Sequence, residues 1–150
     1  MEKGNYQKFA LMLVVSFFIM YAIMYLNVDE FDHVYINMTR FYMTMLMVSA
    51  MALVMLVMMR MMYQNKKINL IIATSAIAVF ILALAGVRTQ TAIGDQQYMK
   101  GMIPHHSIAI MVSKKAHLKD PEVQRLAKSI IDAQEKEIAE MKRILARMEK

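Results

Sequence analysis

Between Tyr98 and Met111 the chain places Met99, Met102, His105, His106 and Met111 close together. Thioether sulfur selects Cu(I), and imidazole serves Cu(I) and Cu(II) alike, so this group points to copper chemistry. Further along, Gln134, Glu137 and Met141 recur at helical spacing and add an amide, a carboxylate and another thioether. In an antiparallel helical hairpin turning near Lys119 and Asp120, facing residues have numbers summing to about 240. His106 then meets Gln134, Met102 lies near Glu137 and Met99 lies near Met141. A lone His on such a face is commonly a core residue satisfied by hydrogen bonds. Adjacent histidines with Met three residues before and five or six after are harder to explain as packing.

Two helices must hold these groups. Asp120-Pro121-Glu122 marks a helix start, with Asp as N-cap, Pro at the first helical position and an acid in the first turn. The second helix is expected from Pro121 to about Met148, with Val123, Leu126, Ala127, Ile130, Ile131, Ile138, Met141, Ile144 and Leu145 on its apolar stripe. The first runs from Gly94 or Asp95 to His117, with a kink or break at Pro104. Two helices with one apolar face each need a further partner, and a homo-oligomer forming a four-helix bundle is the economical answer.

The rest of the chain is of another character. Of 150 residues, 58% are hydrophobic, above the roughly 45–50% of ordinary globular chains. The excess falls in runs at residues 9–26, 41–63 and 68–87, each near the roughly 20 apolar residues that span a bilayer. The first run is too long for a signal-peptide core and lacks a small-x-small cleavage site, so it reads as a retained span. The expected fold is all-α: a membrane domain over 1–90, then a helical hairpin over 91–150. Lys3, Lys8, Arg60, Lys66 and Lys67 lie on one side of the spans, whereas the loop after the first carries Asp29, Glu30 and Asp32. That asymmetry places the amino terminus inside and the hairpin outside the cytoplasmic membrane. The net charge of +6 is dispersed and accompanied by no reading motif, so nucleic acid is not an expected partner.

The second run concentrates methionine. Met43, Met47, Met51, Met55, Met58 and Met62 follow spacings that keep them on one slowly drifting helix stripe. Thioethers are flexible apolar fillers, and that account stands beside a ladder of soft Cu(I) ligands. His33 lies in the acidic loop with Asp29, Glu30, Asp32 and Met38. A metal-capture role there is weighed against a plain solvated loop.

The stretch Asp95-x-x-Tyr98-Met99-x-x-Met102-Ile103-Pro104-His105-His106-x-x-Ala109-Ile110-Met111 resembles the signature of the domain-of-unknown-function family 305 (DUF305). Asp120-Pro121-Glu122-Val123, Ile130-Ile131-x-x-Gln134 and Glu137-Ile138-x-x-Met141 resemble its second helix. This resemblance, over residues 93–146, implies a ferritin-like helical fold and, as in some periplasmic members, copper binding and resistance. It implies Met102, His105, His106, Met111 and Met141 as copper ligands, with Met99, Gln134 and Glu137 in secondary roles. Ser107 stands where many members carry Gln. A di-iron oxidase does not fit, because no Glu has a His three residues later. With no Cys, no Gly-x-Ser-x-Gly elbow, no phosphate loop and no zinc-protease motif, an enzyme is not expected. The expected function is a membrane-anchored copper-binding protein for copper tolerance or homeostasis. The alternatives are a metal-free membrane interaction module and an oligomeric Cu(I) transport component.

Overall fold

The computed structural model describes residues 2–149, with side chains from Gly4 onward. Five α-helices follow one another: α1 (Glu2–Ile23), α2 (Met38–Met58), α3 (Lys66–Thr89), α4 (Asp95–Lys115) and α5 (Pro121–Met148). A single 3-10 turn, Phe31–His33, lies between α1 and α2, and no strand occurs among the described residues. The all-α expectation holds. The chain divides into two compact units, one of α1 with Thr39–Ala92, the other of Met24–Met38 with residues 93–149.

In the first unit, segments Gly4–Ile23, Met38–Met58 and Lys66–Thr89 are each long and apolar enough to cross a membrane. Phe9, Ala52, Tyr63 and Ala76 form its buried cluster. α2 and α3 approach closely at Gly86, where an added Cβ would lie 3.1 Å from the Tyr42 ring. The second run was expected to stay helical to residue 63, but α2 ends at Met58. Tyr63 is held instead by edge-on packing on Phe9, with centroids 5.2 Å apart. The Asn69 amide also donates to its carbonyl at 2.7 Å. Asn65 then turns extended and caps α3, its side chain accepting from the amides of Lys67 and Ile68.

In the second unit, α4 and α5 pack antiparallel around Met99, Ile103, Ile110, Ile138 and Leu145, with Tyr35 of the interhelical loop against the same cluster. Asp120 caps α5 as expected, accepting from Glu122 and Val123 amides at 2.8 and 3.0 Å. The register differs from expectation: His106 meets Glu137, not Gln134. α4 stops at Lys115, and Ala116 and Asp120 flanking the connection are extended. Between them the Leu118 amide donates back to the Ala116 carbonyl at 3.1 Å. The slip of three residues corresponds to about 4.5 Å along a helix. It also leaves Val123, Leu126 and Ile130 exposed, so only the C-terminal part of the α5 stripe is packed.

Pro104 lies inside α4 without ending it. Having no amide hydrogen, it cannot bond the Lys100 carbonyl four residues earlier. The Asn37 side-chain amide donates to that carbonyl at 3.4 Å. Loop 24–38 thereby supplies part of the cover that two helices alone lack. Ile103, fully buried, anchors this arrangement. Ile103→Ala is expected to destabilise the hairpin by about 2–5 kcal/mol, read as faster hydrogen exchange in α4 and α5 with α2 and α3 unaffected.

Candidate functional site

The Nδ1 of His106 lies 2.9 Å from the Met102 carbonyl one turn earlier on α4. A carbonyl only accepts, so Nδ1 carries the hydrogen and Nε2 points away from the backbone. Nε2 lies 2.7 Å from a Glu137 carboxylate oxygen on α5. At that distance the imidazole and the carboxylate share a hydrogen bond. The same position suits a cation. His106 is 8% exposed whereas the Glu137 side chain is 55% exposed, so the pair joins the core to solvent.

This pair opens onto a cleft of about 630 Å³ between α4 and α5. Met99, Met102 and Met141 line it with His106 and Glu137, while Asp95, Tyr98, Glu140 and Arg147 form part of the wall. Met99 is buried in the hairpin core, and Met141 packs against that core. The cleft therefore gathers an imidazole, a carboxylate and several thioethers in one place.

Other anticipated residues lie elsewhere. His105 is exposed and does not line the cleft, its ring centroid 6.0 Å from that of His106. Consecutive helical residues point about 100° apart, and Pro104 does not change this because the helix continues through it. Met111, half-buried, is likewise outside the lining, and so is Gln134, displaced by the register slip. In α2, Met43 and Met47 are exposed and Met51 and Met55 half-buried, whereas the face packed inside the unit presents Thr44, Ser49 and Ala52. Met58 ends the helix and Met62 lies beyond it, so Met62 does not continue the stripe.

The acidic loop is not a plain solvated one. His33 is 6% exposed, and its Nδ1 lies 2.9 Å from the Ser107 hydroxyl on α4. The same hydroxyl accepts from the Asp29 amide at 2.7 Å. Ser107 is fully buried and fastens the loop to α4. Lys114 bonds Asp29 at 2.9 Å and Lys142 bonds Asp32, while the Met38 amide donates to Gln97 at 3.1 Å. Burial, and then the charge of Lys142, hold the His33 imidazole below its ordinary pKa. The hydrogen bond from Lys142 holds the Asp32 carboxyl low. Hydrogen bonds to Asp29 and Glu135 raise Lys114. Sequence reasoning missed these contacts. Its available clue was Pro104, whose unmatched carbonyl requires a donor from elsewhere.

Comparison with known proteins gives one family and one relative. The family described as Domain of unknown function (DUF305) matches residues 58–145, reaching back through α3 as well as covering the hairpin. An uncharacterized protein, L153, of Acanthamoeba polyphaga mimivirus is 38% identical over 144 residues, covering 94% of this chain and 93% of that one. No solved structure matches.

The lowered pKa of His33 has a defined consequence for loop docking. An undocked His33 takes a proton near 6.5, more readily than the docked one. Docking is therefore fully supported above that value and weakens as pH falls through the lower docked value. Asp32, held below 3.8, stays charged through this window. Hydrogen exchange in loop 24–38 should accelerate as pH falls below about 6.5, beyond the intrinsic pH effect on exchange. His33→Gln should remove that excess.

Proposed function

The chain belongs to the DUF305 family, and from that premise we propose that it is a membrane-anchored copper-binding protein of copper tolerance or homeostasis. The hairpin would hold Cu(I) through His106, Met102 and Met141, with Met99 and Glu137 beside them. One observation carries this reading: an imidazole nitrogen and thioethers share a cleft lined by two helices. The donor set fits the ion, because thioethers favour Cu(I) over harder cations and imidazole accommodates it. The Met102 carbonyl fixes the imidazole tautomer, as outer-shell partners of metal-bound histidines do. Copper would supply only its affinity for soft donors. The chain orients His106, keeps one face of the site apolar and leaves the other open for entry.

The membrane setting rests on α1, α2 and α3 and on the basic residues flanking them. Three spans put the α1–α2 loop and everything after α3 on the same side. The packing of loop 24–38 with α4 and α5 agrees with that topology. With Asp29, Glu30 and Asp32 in that loop and Lys66 and Lys67 in the opposite turn, the hairpin faces away from the cytoplasm. The exposed Val123, Leu126 and Ile130 support self-association as the remaining cover.

A second reading is a metal-free interaction module. The His106–Glu137 contact favours it, since both imidazole nitrogens already have partners. Cu(I) competition with a chromophoric chelator on the detergent-solubilised full-length protein separates the two. His106→Gln and Met102→Leu/Met141→Leu should each weaken Cu(I) binding by at least about tenfold, the lower end for losing even an outer-shell partner. His105→Ala should change it little. Affinity should also fall with pH as protons compete for Nε2. Equal affinity in wild type and His106→Gln would leave the metal-free module standing.

A further inference from the structure

The 3-10 turn Phe31–His33 places Glu30 and His33 three residues apart, the spacing at which side chains eclipse in that helix type. Asp32 sits between them in sequence. One ligand atom from each of Glu30, Asp32 and His33 lies within 4.8 Å of the others. His33 Nε2 is 3.6 Å from an Asp32 oxygen and 3.8 Å from a Glu30 oxygen. At 3.6 Å and beyond, neither contact is a hydrogen bond. A deeply buried imidazole thus aims a nitrogen with no hydrogen bond between two exposed carboxylates.

We propose that Glu30, Asp32 and His33 form a second cation site, separate from the thioether cleft and suited to a divalent ion such as Zn(II). Ligand atoms around a tetrahedral zinc lie about 3.3–3.4 Å apart, given bonds near 2.0–2.1 Å. The two His33–carboxylate separations are already within a few tenths of that value. Glu30, exposed and outside the core, can close the remaining gap by side-chain rotation.

Each fixed ligand is also held from behind. Ser107 engages His33 Nδ1, which leaves Nε2 facing the carboxylates. Lys142 engages the other Asp32 oxygen, Oδ2, leaving Oδ1 toward His33. Lys142 offsets one of the two carboxylate charges, and Lys114 offsets Asp29. A net negative charge remains for the ion. One imidazole with two carboxylates is a borderline-to-hard donor set, unlike the soft set of the cleft. A bound ion would tie the loop to itself where Ser107 ties it to α4.

Zn(II) titration of the full-length protein in detergent, by calorimetry or against a fluorescent chelator, tests this. Wild type should take up one equivalent that Glu30→Gln/Asp32→Asn loses and Met102→Leu/Met141→Leu retains. Because Asp32→Asn also disturbs the Lys142 contact, Glu30→Gln alone is the companion variant, and it should weaken that equivalent at least about tenfold. Added Zn(II) should shift the His33 Nε2 nitrogen resonance and slow hydrogen exchange in loop 24–38. The site is refuted if wild type takes up no Zn(II). It is equally refuted if the Glu30 and double variants bind as wild type does, or if the equivalent disappears with His106→Gln instead. The Cu(I) reading of the cleft stands or falls separately, on variants that leave the loop untouched.

Discussion

Pro104 has no amide hydrogen, and much of the second unit is arranged around that missing atom. Buried inside α4, it leaves the Lys100 carbonyl without a helical donor. An unmatched polar group away from water costs about 1–3 kcal/mol. Asn37 answers it from a loop that would otherwise run free. Once Asn37 is docked, Tyr35 packs on the hairpin core and the Met38 amide meets Gln97. His33 and Asp29 then converge on Ser107. A residue expected to kink or break the helix is what draws a third layer onto a two-helix hairpin.

The same stretch of α4 directs neighbouring side chains to different tasks. Ile103 and Pro104 fill the interior, His105 faces solvent, His106 faces the cleft, and Ser107 holds the loop. A rotation of about 100° per residue accounts for the division. Adjacent histidines in the sequence therefore meet different surroundings in space. The two polar groupings also differ in kind. Around His106 several thioethers join the carboxylates of Asp95, Glu137 and Glu140; around His33 stand the carboxylates of Glu30 and Asp32.

Local rules were readable because they depend on neighbours in the chain. The Asp120 cap, the extent of α5 and the apolar helices each follow from a few consecutive residues. The facing of α4 and α5 was harder to read, because it depends on whether five connecting residues run compactly or extended. Here Ala116 and Asp120 at their ends are extended, and Glu137 replaces Gln134 opposite His106. The end of α2 was hidden for a related reason. Met59 to Met62 have helical composition, but packing of Tyr63 on Phe9 and its bond from Asn69 decide where the helix stops. Ser107 stood out only as a departure from the Gln of many family members, and a hydroxyl on a helix is ordinary until a loop arrives to use it.

The docking of loop 24–38 has a consequence for the order in which the chain can mature. Its contacts reach forward by 63 residues to Lys100, by 78 to Ser107 and by 110 to Lys142. A ribosome adding about 5–20 residues per second emits Asn37 and His33 several seconds before the atoms that satisfy them exist. Until then Asn37 has its near neighbours Tyr25 and Tyr35, and the contacts to α4 and α5 are unmade. The loop is thus one of the first parts of the unit to be made and one of the last to be settled. Any truncation ahead of α5 would deprive it of Lys142 while leaving its own sequence intact.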